Sequence, residues 1–207
     1  MKSLSLTKPL VLMVVGVPGS GKSFFSRQFS DTFCAPLVSY DEVRSTLYGP
    51  ASFDKSQLEI VKAVMDIHIS QLLKTKKTFI IDGIGMTRAE RETLRKYIAQ
   101  QGYDLLIIWV QTDLATAQFR AMKRSKRRKD DEYNVPLNHD QYGVLEKRFT
   151  PPSKSEKSIV ISGKHTYASQ AKIVLKHLVS PRDPLSAERL DSSRGSTASA
   201  PRGIVIR

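Results

Sequence analysis

Short apolar runs alternate along the chain with longer segments whose apolar residues recur at helical spacing. Residues 10–15 form an unbroken apolar run, followed after Gly21 by a helical pattern. The same alternation recurs at 36–38 with helical segments to Leu73, and at 78–81 with a helix over 87–101. It continues with a strand at 104–110, helices over 113–128 and 138–149, a strand at 158–161 and a helix over 167–178. Right-handed crossovers place a helix between successive parallel strands, so the expected fold is α/β: a mainly parallel sheet flanked by helices. Thr87 with Glu90, and Asn138 with Gln141, have the reciprocal spacing that starts a helix. On the segment 61–68 the apolar stripe includes His68, which reads as a core histidine without a role, and Trp109 inside its apolar run reads as core.

The pattern stops at Ser180, beyond which Ser, Pro, Arg and Ala dominate until Ile204-Val205-Ile206. Such a segment buries too little surface to offset its ordering entropy. One domain over 1–179 is therefore expected, with a flexible tail over 180–207. No apolar run approaches the ~18 residues that a membrane-spanning helix needs. The single cysteine, Cys34, excludes an intramolecular disulfide, and with four scattered histidines it offers no zinc-type spacing, so a cytoplasmic protein is expected. The net charge of +13 lies mostly ahead of the tail, where five arginines against Asp183, Glu188 and Asp191 contribute only +2. Surplus positive charge attracts anions: nucleotides, nucleic acids or acidic surfaces.

Gly16-Val17-Pro18-Gly19-Ser20-Gly21-Lys22-Ser23 matches G-x-x-x-x-G-K-[ST] between a buried-strand pattern and a helix pattern. The glycines let backbone N–H groups curl around phosphates, Lys22 neutralises the β- and γ-oxygens, and the Ser23 hydroxyl suits Mg²⁺. The segment Gly16 to Ser23, extended by Phe24, is the expected site for ATP with Mg²⁺.

After the second strand comes Ser39-Tyr40-Asp41-Glu42-Val43-Arg44. If Ser39 and Glu42 cap the helix, Asp41 is released to take a proton from an attacking hydroxyl at the strand ends where ligands bind. Arg44, three residues on, shares its face and could hold a phosphate; an N-cap role for Asp41, with Arg44 as its solvated neighbour, is the other reading. The third strand ends at Asp82, placed either to serve the metal and substrate or simply as a turn aspartate before Gly83. The basic run 119–129 puts Arg120, Arg124 and Arg127 on one helical face, followed by a polar break, so a lid over about 120–137 is expected. A solvated, dipole-complementing helix end is the alternative. Arg88 and Arg91 are expected at the surface, and Glu146, Arg148, Phe149, Pro151, Pro152 and Glu156 form a group to which spacing assigns no mechanism.

Over roughly 9–178 the loop G-V-P-G-S-G-K-S, with S-Y-D-E-V-R, F-I-I-D-G and F-R-A-M-K-R-S-K-R, resembles the P-loop kinases typified by the phage-type polynucleotide 5′-kinase domain and the zeta-toxin-like kinases. The resemblance implies a general base at Asp41, substrate and phosphoryl contact at Arg44, substrate-site support at Asp82, and ATP-phosphate contact at Arg124, with Arg120 a neighbouring position. It implies an ATP-dependent kinase whose acceptor is a hydroxyl, and the surplus positive charge with the run Arg120–Lys129 makes a nucleic acid 5′-hydroxyl the leading candidate. A small-molecule or toxin-type kinase and a nucleic-acid-binding switch ATPase remain as rivals. The chain departs from the D-x-N pattern of many relatives at Asp82-Gly83-Ile84.

Overall fold

A computed structural model describes residues 8–49, 55–124 and 133–179. The expectations for the tail over 180–207, for Arg127 and for positions 130–132 of the polar break after it lie outside the described residues.

Among the described residues, five strands form one sheet: β1 (Leu10–Val15), β2 (Leu37–Ser39), β3 (Phe79–Asp82), β4 (Asp104–Gln111) and β5 (Ser158–Ser162). Their order is β2-β3-β1-β4-β5, and every pairing is parallel. The helices are α1 (Lys22–Phe33), α2 (Tyr40–Tyr48), α3 (Lys55–Lys74), α4 (Arg88–Gln100), α5 (Leu114–Met122), α6 (His139–Arg148) and α7 (Tyr167–Val179).

Strand β1 is apolar at every position because both faces of the sheet are covered. Val11, Met13 and Val15 point to one layer with Val61, Met65, Ile69 and Leu73 of α3 and Ile98 of α4. Leu10, Leu12 and Val14 point to the other, against Phe25 and Phe29 of α1 and Val174 of α7. Both predicted capping boxes form, at Thr87 with Glu90 and at Asn138 with Gln141. Each such cap satisfies amide groups that a helix start leaves orphaned.

Three expectations need correction. His68 is exposed, since the buried stripe of α3 runs through Val61, Met65, Ile69 and Leu73 and passes it by. Arg91 is buried completely, because it meets Glu156 from a segment 65 positions away. The helix expected over 113–128 ends at Met122, so Arg124 lies beyond it and does not share a helical face with Arg120. Trp109 is part-buried and packs against the α3-side layer.

Candidate active site

The loop leaving β1 is held against its surroundings by backbone contacts that leave no space for a side chain at Gly16 or Gly19. Gly19 has φ 78°, and a Cβ there would stand 2.0 Å from the Ala117 carbonyl oxygen of α5. Gly16, at φ 149°, would bring a Cβ within 2.5 Å of the Val110 carbonyl. Glycine alone tolerates this combination of dihedral and crowding. Val17 and Pro18 are buried, and the Ser20 amide turns back to the Val17 carbonyl at 3.2 Å. Just after β4, Thr112 Oγ1 donates to the Ser20 carbonyl at 2.9 Å, and Gly163 after β5 packs against the same carbonyl.

The loop runs into α1, whose N-cap, Gly21, gives no side-chain cap. The first amides of α1 therefore have no capping side chain at the end that carries the positive pole of the helix dipole, an arrangement suited to an anion. Ser20 Oγ is buried with no hydrogen-bond partner among the described residues. Lys22 donates from Nζ to the Val17 carbonyl at 3.0 Å, so its ammonium caps the same cradle. Burial lowers its pKa; Asp82 opposes this, Arg124 adds to it, and Asp41 opposes it again. Asp41, Asp82 and Arg124 thus all lie within electrostatic reach of Lys22. Phe24 is part-buried in the first turn of α1.

Asp82 closes β3, in register with Val14 of β1 and Ser39 of β2, and is 2% exposed. Burial raises its pKa against the downward pull of Lys22 and of a hydrogen bond from the Ser23 side chain. Its Oδ1 has no partner among the described residues. Ser23 and Asp82 are hard oxygen donors side by side, and Mg²⁺ requires only one or two protein oxygens when phosphates and water complete its octahedron. The residues fit that ion, although no cluster of three or more His, Cys, Asp or Glu suited to a metal occurs among the described residues.

Across the crevice, Ser39 caps α2 by accepting the Glu42 amide at 3.4 Å, which leaves the Asp41 carboxylate out of the cap. Arg44 reaches Asp41 Oδ1 at 3.4 Å from Nη2, which also donates to the Tyr133 carbonyl at 3.2 Å. The Arg44 side chain is 7% exposed, yet its Nη1 has no partner among the described residues. A buried guanidinium with an unused donor is costly unless a ligand accepts from it.

Of the expected lid arginines among the described residues, Arg124 donates from Nη1 to the Val135 carbonyl at 3.1 Å and faces Lys22, whereas exposed Arg120 donates to the Gly163 carbonyl at 3.0 Å. Arg27 was missed by the sequence reading: it lies one turn beyond Ser23, pulls down the pKa of Asp82, and stands 5.2 Å from the Tyr133 ring centroid. The i,i+4 spacing from Ser23 was the available signal. Tyr133 had no local signal, because its contacts with Arg44 and Arg27 reach it from distant helices.

Fold and cradle together define a P-loop nucleotide-binding fold. The chain belongs to the AAA domain family, whose model matches residues 11–152. An adenylate kinase of Phocaeicola vulgatus is 27% identical over 141 residues, spanning 61% of this chain and 75% of that protein. Among solved structures, the Mycobacterium tuberculosis APS kinase CysC superposes with a TM-score of 0.61 at 17% identity, covering 84% of this chain and 99% of that one. A chain of the Pnkp1/Rnl/Hen1 RNA repair complex superposes with a TM-score of 0.57 at 20% identity over 70% of this chain and 45% of its own. At these identities the solved structures share the fold.

Proposed function

We propose that this protein is an ATP-dependent kinase that phosphorylates a hydroxyl, with the 5′-hydroxyl of a nucleic acid as acceptor. The observation that carries the kinase reading is the Asp41–Arg44 pair, freed from capping by Ser39 and set opposite Lys22. An acceptor hydroxyl gives both groups a task, since the carboxylate takes its proton and the unused Arg44 N–H meets the phosphoryl group.

In this reading the acceptor oxygen forms a bond to the γ-phosphorus while the bond from that phosphorus to the β,γ-bridging oxygen breaks, and ADP leaves. Asp41 takes the hydroxyl proton. Arg44 Nη1 donates to the phosphoryl group or to an acceptor phosphate, and Lys22 and Arg124 offset the charge on the nucleotide phosphates. Ser23 and Asp82 would hold Mg²⁺, which when bound neutralises charge on the β- and γ-phosphates. Positioning and charge stabilisation supply most of the catalysis in such transfers.

The nucleic-acid acceptor is supported by surplus charge: the chain carries +13, and beyond Lys22 the crevice is bordered by Arg27, Arg44, Arg124 and Arg148. A small-molecule acceptor is the second reading, favoured by the likeness to a protein named adenylate kinase. The test offers γ-labelled ATP with 5′-hydroxyl DNA and RNA oligonucleotides, nucleosides, nucleotides and sugars. Label should enter the oligonucleotide, and Asp41→Asn should lower that transfer about 10²–10⁴-fold while leaving ATP affinity intact. Label confined to a small molecule would remove the nucleic-acid acceptor and keep the kinase; free phosphate with no labelled acceptor would replace the kinase with a switch ATPase.

A further inference from the structure

Arg91, in the first turn of α4, has no exposed surface and no role in the phosphate cradle. Its Nε and Nη2 fork onto the two carboxylate oxygens of Glu156 at 2.7 and 3.1 Å. Its Nη1 donates to the carbonyls of Gly85 at 3.0 Å, Met86 at 3.4 Å and Thr150 at 2.9 Å. One guanidinium therefore ties together two segments remote in sequence: the loop leaving Asp82, and the stretch between α6 and β5. The Thr150 amide adds a direct link to the Met86 carbonyl at 2.9 Å. Glu156 is fixed in turn by the Ser153 amide at 2.9 Å and the Ser153 hydroxyl at 3.2 Å.

The tied loop supports the crevice. Gly83, at φ 90°, lies so close to Tyr40 that a Cβ on the glycine would stand 2.6 Å from the Tyr40 Cβ. Tyr40 immediately precedes Asp41 at the start of α2. On the other side, Arg148 at the end of α6 is paired with Glu90 of the α4 capping box and lies within electrostatic reach of the Tyr40 phenol.

We infer that the Arg91–Glu156 clamp positions the acceptor half of the crevice, setting where the loop after Asp82 lies and thereby where Tyr40 and Asp41 stand relative to Lys22. The inference rests on the kinase reading. A buried ion pair is by itself weak evidence of a stability role, since apolar groups of like volume often serve as well. The planar fork, in contrast, gives directed bonds to a carboxylate and to carbonyls of two segments, which a point-charged ammonium cannot reproduce. The nucleotide half is built separately, from β1, α1, Thr112 and Gly163.

The test is Arg91→Lys, with Glu156→Gln as a second variant that keeps the arginine and its three carbonyl bonds should the lysine variant fail to fold. Steady-state kinetics with γ-labelled ATP and a 5′-hydroxyl oligonucleotide, or whichever acceptor the wild-type protein labels, should lose kcat/KM for the acceptor on the order of 10²-fold, the scale of a reacting group misplaced by ~1 Å. Affinity for a fluorescent ATP analogue should stay unchanged. Trp109, the only tryptophan, has its ring 6.3 Å from that of Phe149, next to Thr150, so its emission should shift to the red as this segment loosens. Equal losses for nucleotide and acceptor, or a lower melting temperature with wild-type kinetics, would overturn the inference and leave a structural ion pair. If the wild-type protein labels no acceptor, the kinase reading falls on that arm alone. The clamp is then decided by Trp109 emission and analogue binding: a red shift with intact nucleotide affinity supports it, and an unshifted emission or weakened nucleotide binding overturns it.

Discussion

Lys22 illustrates what one residue can contribute when its surroundings are already fixed. Its ammonium sits over a cradle whose shape depends on glycine backbone and on Thr112, so removing the side chain leaves the cradle standing. Lys22→Ala is expected to keep the circular dichroism spectrum and lose most affinity for Mg-ATP; calorimetric titration checks this, and unchanged affinity would remove the nucleotide site from this loop. The signature of this site was legible because every fixed position of the loop has a local reason: curvature, charge or a hydroxyl at the helix start. Arg91 was not legible for the opposite reason. In Arg88-Ala89-Glu90-Arg91-Glu92 it is one charge among several, and what separates it from solvent-facing Arg88 is a carboxylate 65 positions away. His68 misled in the other direction, since a helical stripe resolves position only to within about one residue in three or four.

Among the elements, helix starts were read more reliably than helix ends. The boxes at Thr87 and Asn138 are local hydrogen-bond chemistry, whereas α5 stops at Met122 in the middle of a run of good helix formers, where no Gly or Pro marks an end. The segment between α6 and β5 carries a pH-dependent contribution that follows from its contacts. Burial acts to raise the pKa of Glu156, but the hydrogen bonds from Arg91 and from the Ser153 amide outweigh it and bring it down from 4.5 to about 2. A folded-state pKa below the unfolded one means that stability is fully present above about pH 4.5 and is lost as pH falls toward 2. The carboxylate is 10% exposed, so little of this is screened away, and the shift corresponds to about 3 kcal/mol. Glu156→Gln should therefore lower stability at pH 7 by about that amount, and the difference from wild type should shrink between pH 4.5 and 2. Urea midpoints across that range measure it; parallel curves for the two proteins would show that the pair contributes no proton linkage.

At the scale of the whole molecule, alternating apolar and amphipathic segments required a parallel sheet, and all pairings are parallel. The order β2-β3-β1-β4-β5 had no counterpart in the pattern, because a strand buried on both faces reads the same wherever it lies in the sheet. That order matters to function, since it sets the carboxyl ends of β1, β2 and β3 side by side and brings the loop, Asp41 and Asp82 to one crevice. The net charge of +13 is the other global property, and it bears on the acceptor. Arg44 and Arg148 lie on the side of the crevice where Tyr40 and Asp41 stand, apart from the nucleotide cradle. If each meets one phosphate of a single-stranded acceptor, two displaced counterions give a log–log slope of affinity against salt of about −1.4, from roughly −0.7 per phosphate. The dissociation constant of a 5′-hydroxyl oligonucleotide, measured by fluorescence anisotropy at fixed saturating nucleotide analogue, should follow at least that slope, and Arg148→Ala should flatten it by about 0.7. A neutral hydroxyl compound releases no counterions and should bind independently of salt. An oligonucleotide slope near zero, or one that Arg148→Ala leaves untouched, would take the nucleic acid out of this half of the crevice. Asp41 would then serve a small acceptor in the same geometry.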